Sequence, residues 1–384
     1  MGSSHRNRWL VATAGMSALT LLTACGSSSS TASTTPSSAS TGSAATGGGS
    51  DVSAAKAAAA KFEQAPTTIN AKVPLTGKVE QGRTYVVIGC ELPQCKVISD
   101  GAIEAAKAIG WKPQYLQYKT TDGATLTSAM KDALQYKPIA VSPIGFSQAV
   151  WTQLQPVYKA AGIPIVPIAV GDVEPSDTVT LGSSSQVDYA AAGEVIANWF
   201  IGDSNGKGKA LVQDVPAFAV LKAYGDSVKA TVKKGCSSCS TTALDVAPAQ
   251  LATNSLVPAV VSALQKDRSI KYLLTTDGAF IAALPSALKA AGITDVKIAG
   301  GAADINNTQA LVSGTEAAWT LEPTDQFGWV GVDIAARKLL GMPIEPAQIL
   351  RPLMLATQQN VGTPTNFLTA PKDYRDQYKK LWGA

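Results

Sequence analysis

Histidine is nearly absent: the 384 residues contain one, His5. It precedes an apolar run, "WLVATAGMSALTLL" at 9–22, that reads as the core of a secretion signal with Arg6 and Arg8 as its basic start. The body of the chain therefore has no histidine. That removes the commonest general base, the Ser–His and Cys–His nucleophile pairs, and imidazole metal ligands. Any catalysis would have to rest on carboxylates or lysine, and no metal or cofactor is expected. Charge is also scarce, at 16% of residues, and without Arg6 and Arg8 it stands at 30 basic against 28 acidic. So even a balance gives no overall pull toward nucleic acid or acidic lipid. The run at 9–22 is too short to span a membrane, which takes roughly 20 apolar residues.

Cysteines are few, five in all. The first ends "LTAC" directly after the apolar run, and this resembles the lipobox of bacterial lipoproteins. The resemblance implies a signal peptide at 1–24 and a lipid anchor on Cys25. Residues 25–50, dominated by Ser, Thr, Gly and Ala, contain no charge and no large apolar side chain, so they read as a tether. The Ala-rich stretch 51–66 reads as a short exposed helix stopped by Pro66, and 51–81 as a helix with a lead-in segment.

Cys90, Cys95, Cys236 and Cys239 remain, an even number that favours disulfides outside the cytoplasm. Four cysteines allow three connectivities; the short spacings suggest Cys90–Cys95 and Cys236–Cys239. "CSSC" also fits a redox pair or half a zinc site. It has no second CxxC and follows a lysine-rich helix end, where a thiolate gains little, so a loop staple is the favoured reading.

From Gly82 onward, apolar runs alternate with helical patterns, the mark of a parallel α/β fold. Strand candidates are 85–89, 113–118, 139–144 and 163–170, then 209–215, 241–247, 271–277, 296–301 and 317–323. Helical patterns include 99–110, 147–162 and 280–292. The number of strands and the length suit two doubly wound lobes. Ligands of such sheets bind beyond the strand C-termini. Those ends carry Glu91, Ser142, Phe146, Asp214, Phe218, Asp277, Asp304 and Glu322, each of which could equally serve a turn or a helix cap.

The segments "SDGAIEAAKAIGW" (99–111), "IAVSPIGFSQAVWTQLQPVYKAAGIPIV" (139–166) and "YLLTTDGAFIAALPSALKAAGITDVKIAGG" (272–301) resemble the ribose/galactose-type periplasmic solute-binding proteins of ABC importers. The likeness runs from about Gly82 to Val361. It implies a Venus-flytrap fold: an N-terminal lobe of 82–181 plus 322–350, and a C-terminal lobe of 182–321 plus 351–384, joined by a hinge. A small solute would be enclosed by lobe closure and passed to a permease. Regulators on the same fold need a helix-turn-helix, which is missing.

By the same resemblance, Asp277 falls where the family bonds ligand hydroxyls and Lys222 near its clamping arginine. Phe146, Phe218 and Trp319 offer apolar or stacking walls. Glu91 and Gln94 flank the loop "ELPQ", which a Cys90–Cys95 staple would shape into the lip of the cleft. Several polar family positions are apolar here: Ala169, Val170, Ala302 and Leu321, with Asp304 and Glu322 as shifted substitutes. The expected solute is a small ring with fewer hydroxyl contacts than a free aldose. The expected protein is an extracytoplasmic, lipid-anchored monomer that serves an importer and binds no nucleic acid. A sensory receptor on the same fold is the alternative, and a carboxylate-based hydrolase a more distant one.

Overall fold

A computed structural model describes residues 47–364 and 371–384. Cys25 and the signal and anchor expectations lie outside the described residues. Two sheets organise the chain. In the first, β1 (Thr84–Cys90) lies between β2 (Lys112–Tyr118) and β3 (Ala140–Pro143), all parallel. Tyr85 to Ile88 are fully buried, as expected of a central parallel strand covered on both faces. The expected strand at 163–170 is present only as isolated bridges, from Ile165 to Val141 and Val179 and from Ile168 to Ile144 and Ser183. Pro164 and Pro167 have no N–H to donate, which interrupts the ladder.

The second sheet comprises β4 (Lys209–Asp214), β5 (Ser240–Asp245), β6 (Tyr272–Thr275), β7 (Lys297–Gly300), β8 (Ala318–Leu321) and β9 (Met354–Thr357). Their order is β5-β4-β6-β7-β8-β9, parallel except for the antiparallel β9.

Helix boundaries depart from the sequence reading in an informative way. The helix expected from Ser99 starts at Pro93 and runs to Ala108. Proline at the first helical position has its φ preset and loses no bond, so "PQC" forms the opening turn. Both expected disulfides are formed, Cys90–Cys95 and Cys236–Cys239. The first therefore ties the last residue of β1 to a helical turn and encloses no free loop.

The Ala-rich helix spans Gly47–Ala60, starting four residues inside the expected tether. Most of 51–60 is exposed, as expected, but Ala55 and Ala59 are buried where the helix packs on the helix Gln186–Asp203. The C-terminal helix Tyr374–Trp382 also departs from its expected lobe. It packs on the helix Gln326–Leu339, with Trp382 stacked on Trp329 at 5.3 Å between ring centroids. Trp382 Nε1 donates to Asp333 Oδ1 at 2.9 Å, and Asp333 pairs with buried Arg337 at 2.7 Å. Indole burial together with that buried ion pair holds the segment beside the first sheet, and only β9 of the stretch 351–384 joins the second sheet.

The helix Gln326–Leu339 meets the helix Pro93–Ala108 backbone to backbone. A Cβ on Gly101 would fall 2.0 Å from the Asp325 carbonyl oxygen, and one on Gly328 2.0 Å from the Ala102 nitrogen. The start of the Pro93–Ala108 helix is thereby fixed against the segment that leaves β8.

Candidate functional site

The strand ends of the two sheets face each other, and two side chains join across the gap. Gln94, in the first turn after β1, donates Nε2 to Asp277 Oδ1 at 3.0 Å, just past β6. The same nitrogen lies 3.4 Å from the Ala302 carbonyl oxygen past β7. Beside this bridge is a cavity of about 60 Å³, with Leu92, Ile98, Ile144, Phe218, Leu221 and Phe280 among its walls. Ala169, an apolar residue at a position where polarity was missed in the sequence, also lines it. A row of rings closes one side: Tyr118 and Phe146 at 5.5 Å, Phe146 and Phe218 at 5.6 Å. A wider groove of about 680 Å³ lies at the opposite, N-terminal ends of β1 and β3, beside Arg83 and Ile139. It is open surface at the wrong ends of the strands for ligand capture.

Burial raises the Asp277 carboxyl well above the usual range; the Gln94 and Ala279 hydrogen bonds oppose that, and Glu322 and Asp304 reinforce it. Behind the cavity, three chain crossings meet on one guanidinium. Arg351 Nη1 lies 2.7 Å from Glu322 Oε2 and donates to Ser184 Oγ at 3.2 Å. Its backbone N–H donates to Asp188 Oδ1 at 2.9 Å. The guanidinium carbon sits 4.4 Å from the Tyr189 ring centre and 4.5 Å from that of Phe327, so rings cover the group although Nε and Nη2 meet no acceptor. Burial also raises the Glu322 carboxyl, opposed by Arg351.

The other expected site residues go elsewhere. Ser142 is fully buried and shares a 2.5 Å hydrogen bond with Tyr85, so its hydroxyl belongs to the first core. Glu91 accepts from Thr120 N and Oγ1, tying the end of β1 to the loop after β2. Lys222 pairs with Asp226 one turn on and faces outward. Asp304 caps the helix Ile305–Ser313 through Asn306 N and Asn307 N. Trp319 is buried within β8 and donates Nε1 to Glu316 at 2.8 Å. Glu322 stays at the base of the cleft as the partner of Arg351. Sequence reasoning missed Tyr189, Phe280 and Arg351. Tyr189 follows the polar run "SSSQVD" at a crossing between sheets, a signal that could have been used; Arg351 offered none.

A family model described as a periplasmic binding protein domain matches residues 93–343. This chain belongs to that family. Members are substrate-binding proteins of ABC transporters, extracytoplasmic and in general non-enzymatic. No curated protein matches the sequence. Solved structures similar to this binding protein include a sugar ABC transporter protein from Yersinia enterocolitica, at 17% identity and a TM-score of 0.68, covering 82% of this chain and 99% of that one. A solute-binding protein from Agrobacterium vitis with bound allitol is 20% identical, with a TM-score of 0.62 over 73% and 97% of the two chains. One from Burkholderia graminis in complex with D-arabinose is 16% identical, with a TM-score of 0.62 over 76% and 100%. At such identities the likeness establishes the fold: the binding protein has the Venus-flytrap architecture. Among the described residues no helix is long and apolar enough to cross a membrane.

Proposed function

We propose that the protein is a lipid-anchored, monomeric solute-binding protein that encloses a small ring-shaped solute between its lobes and delivers it to an ABC importer. The observation that carries this reading is the Gln94–Asp277 bridge, because it joins the strand ends of both sheets around an aromatic-walled cavity. At about 60 Å³ that cavity is far below the roughly 300–1,000 Å³ of ligand pockets. Entry of a solute therefore requires the lobes to part and the bridge to yield its carboxylate. The Agrobacterium vitis and Burkholderia graminis proteins carry a polyol and a pentose in their structures, which supports a solute of that size. The walls here are mostly apolar, which favours fewer hydroxyl groups, with Phe218 as a ring contact and Phe146 packed beside it. The lobes are proposed as 82–181 plus 322–350 and 182–321 plus 351–364, with the C-terminal helix assigned to the first lobe.

Mass spectrometry of solute retained through purification would identify the ligand. With that ligand, Asp277→Ala loses a charge-assisted contact of about 1.5–3 kcal/mol, roughly 10–150-fold in affinity. A loss below about threefold by calorimetry returns Asp277 to a plain helix cap for Ala279. The anchor is tested separately. Cys25→Ser should move the protein out of the membrane fraction; unchanged fractionation removes Cys25 as the attachment point.

A further inference from the structure

Among the described residues, Asp277 is the one carboxylate lining the cavity, and neither lysine nor arginine lines it. The nearby cations are engaged elsewhere, Lys222 with Asp226 at the surface and Arg351 with Glu322 and Ser184 behind the wall. Both hydrogen bonds to the Asp277 carboxylate, from Gln94 Nε2 and Ala279 N, end on Oδ1. Among the described residues no donor reaches Oδ2. Gln94 must turn its Nε2 toward the carboxylate, since only that end can donate. Its Oε1 is then buried without a partner, on the same wall. The site thus has two acceptors without a donor, on residues that line one cavity, and has spent its amide donor.

A sugar hydroxyl brings one donor and lone pairs that need donors of their own. An ammonium brings up to three donors and no acceptor, together with the charge that a desolvated carboxylate lacks. Phe218, Phe280 and Tyr189 line the same cavity, and ring faces attract a desolvated cation. We infer that the solute carries a cationic amine, seated between Asp277 Oδ2 and Gln94 Oε1 against these rings. The inference rests on the solute-binding reading and narrows its ligand class.

Burial, with Glu322 from the end of β8 and Asp304 from the helix cap after β7, pushes the Asp277 carboxyl well above the usual carboxylate range, so its charge is disfavoured while no cation is beside it. Gln94 from the first lobe and the Ala279 N–H oppose this; Tyr189 also faces the group, and Arg351 offsets Glu322. A cation that enters favours the charged carboxylate, so whatever proton the empty site holds is released on binding. Affinity for an amine that stays charged from pH 6 to 8 should then rise with pH wherever the empty carboxyl still holds its proton.

The test uses matched pairs on the mature protein: cyclohexylamine, a primary amine charged throughout the range, against cyclohexanol, and D-glucosamine against D-glucose, the sugar pair compared at pH 6 where the amine is charged. Calorimetry at pH 6 and pH 8, in buffers of different ionisation enthalpy, reads affinity and proton release. The expected result is a preference for the cationic member of roughly tenfold or more, with any pH dependence of cyclohexylamine binding running toward tighter binding at pH 8. Asp277→Asn, whose Oδ1 can still accept from Gln94 and Ala279, should erase that preference. Equal or tighter binding of the neutral members, or a retained solute without basic nitrogen, overturns the amine and leaves the solute-binding reading standing. Absence of binding by every probe, with no solute retained through purification, counts against both.

Discussion

Single side chains show how environment, and not residue type, decides a role. Asp304 and Asp277 both follow strands and both accept from backbone N–H groups two residues on. Only Asp277 also meets the opposite lobe, and no local pattern in the sequence distinguishes the two. Glu316 is a third case. It is almost fully buried, accepts from Asn307 Nδ2 and Trp319 Nε1, and burial raises its carboxyl to about 7. Its folded pKa lies above the ordinary value of 4.5, so the fold prefers the protonated acid. Its contribution is most favourable below about pH 4.5 and is lost as pH rises to about 7. Glu316→Gln keeps an oxygen for both donors and removes the charge. Melts across pH 5–8 should show a flatter pH dependence for the variant and a gain of roughly 2–3 kcal/mol over wild type at pH 8. Parallel curves would mean that Glu316 is relieved by water.

At the scale of elements, buried strands were the most legible part of the sequence. "TYVVIGC" reads as a continuous apolar run because β1 is covered on both faces. Helix starts were less so: "ELPQC" looks like a loop, since proline commonly marks turns, yet Pro93 opens a helix. The disulfide gains significance from that difference. Cys95 is adjacent to Gln94 in the same turn, so the bond holds the cross-lobe amide in place. Its chain-entropy effect is about 2 kcal/mol for so short a loop, small for a fold of this size. Cys90→Ser with Cys95→Ser should therefore weaken binding of the retained solute more than it lowers the melting temperature. Unchanged affinity beside a lowered melting temperature would make the bond a structural staple only. Trp319 was misjudged because an aromatic residue within a strand reads the same whether it faces cleft or core. Its indole N–H finds Glu316 three residues back, and that contact draws it inside.

For the whole molecule, two lobes were legible from the restart of the strand–helix alternation, but the hinge was not. Arg351 meets Asp188 and Ser184, 163 and 167 residues earlier, and Glu322 from another crossing, so no local window contains the cluster. Removing one partner of a buried pair is far more damaging than removing both, on the order of 3–5 kcal/mol. Arg351→Met should lower stability by that order, and adding Glu322→Gln should recover part of it. Asp188 needs no such relief, because Ser185 N and Oγ also donate to it. A double variant no more stable than the single one would place the role of Arg351 in its ring contacts with Tyr189 and Phe327.

The close approach at Gly101 and Gly328 has a mechanical result. With no side chain between the helices, Asp325 and Ala102 move as parts of one solid piece. Gln94 lies seven residues before Gly101, a lever arm of about 10 Å at 1.5 Å per residue. A swing of about 20° at the crossing after Glu322 carries the Gln94 amide by roughly 3–4 Å, the scale of a hinge closure. That travel exceeds what a 3.0 Å hydrogen bond to Asp277 tolerates. If the protein encloses a solute as proposed, the bridge is a two-position contact, either made or fully parted, and a modest turn at a site remote from that solute is enough to release it.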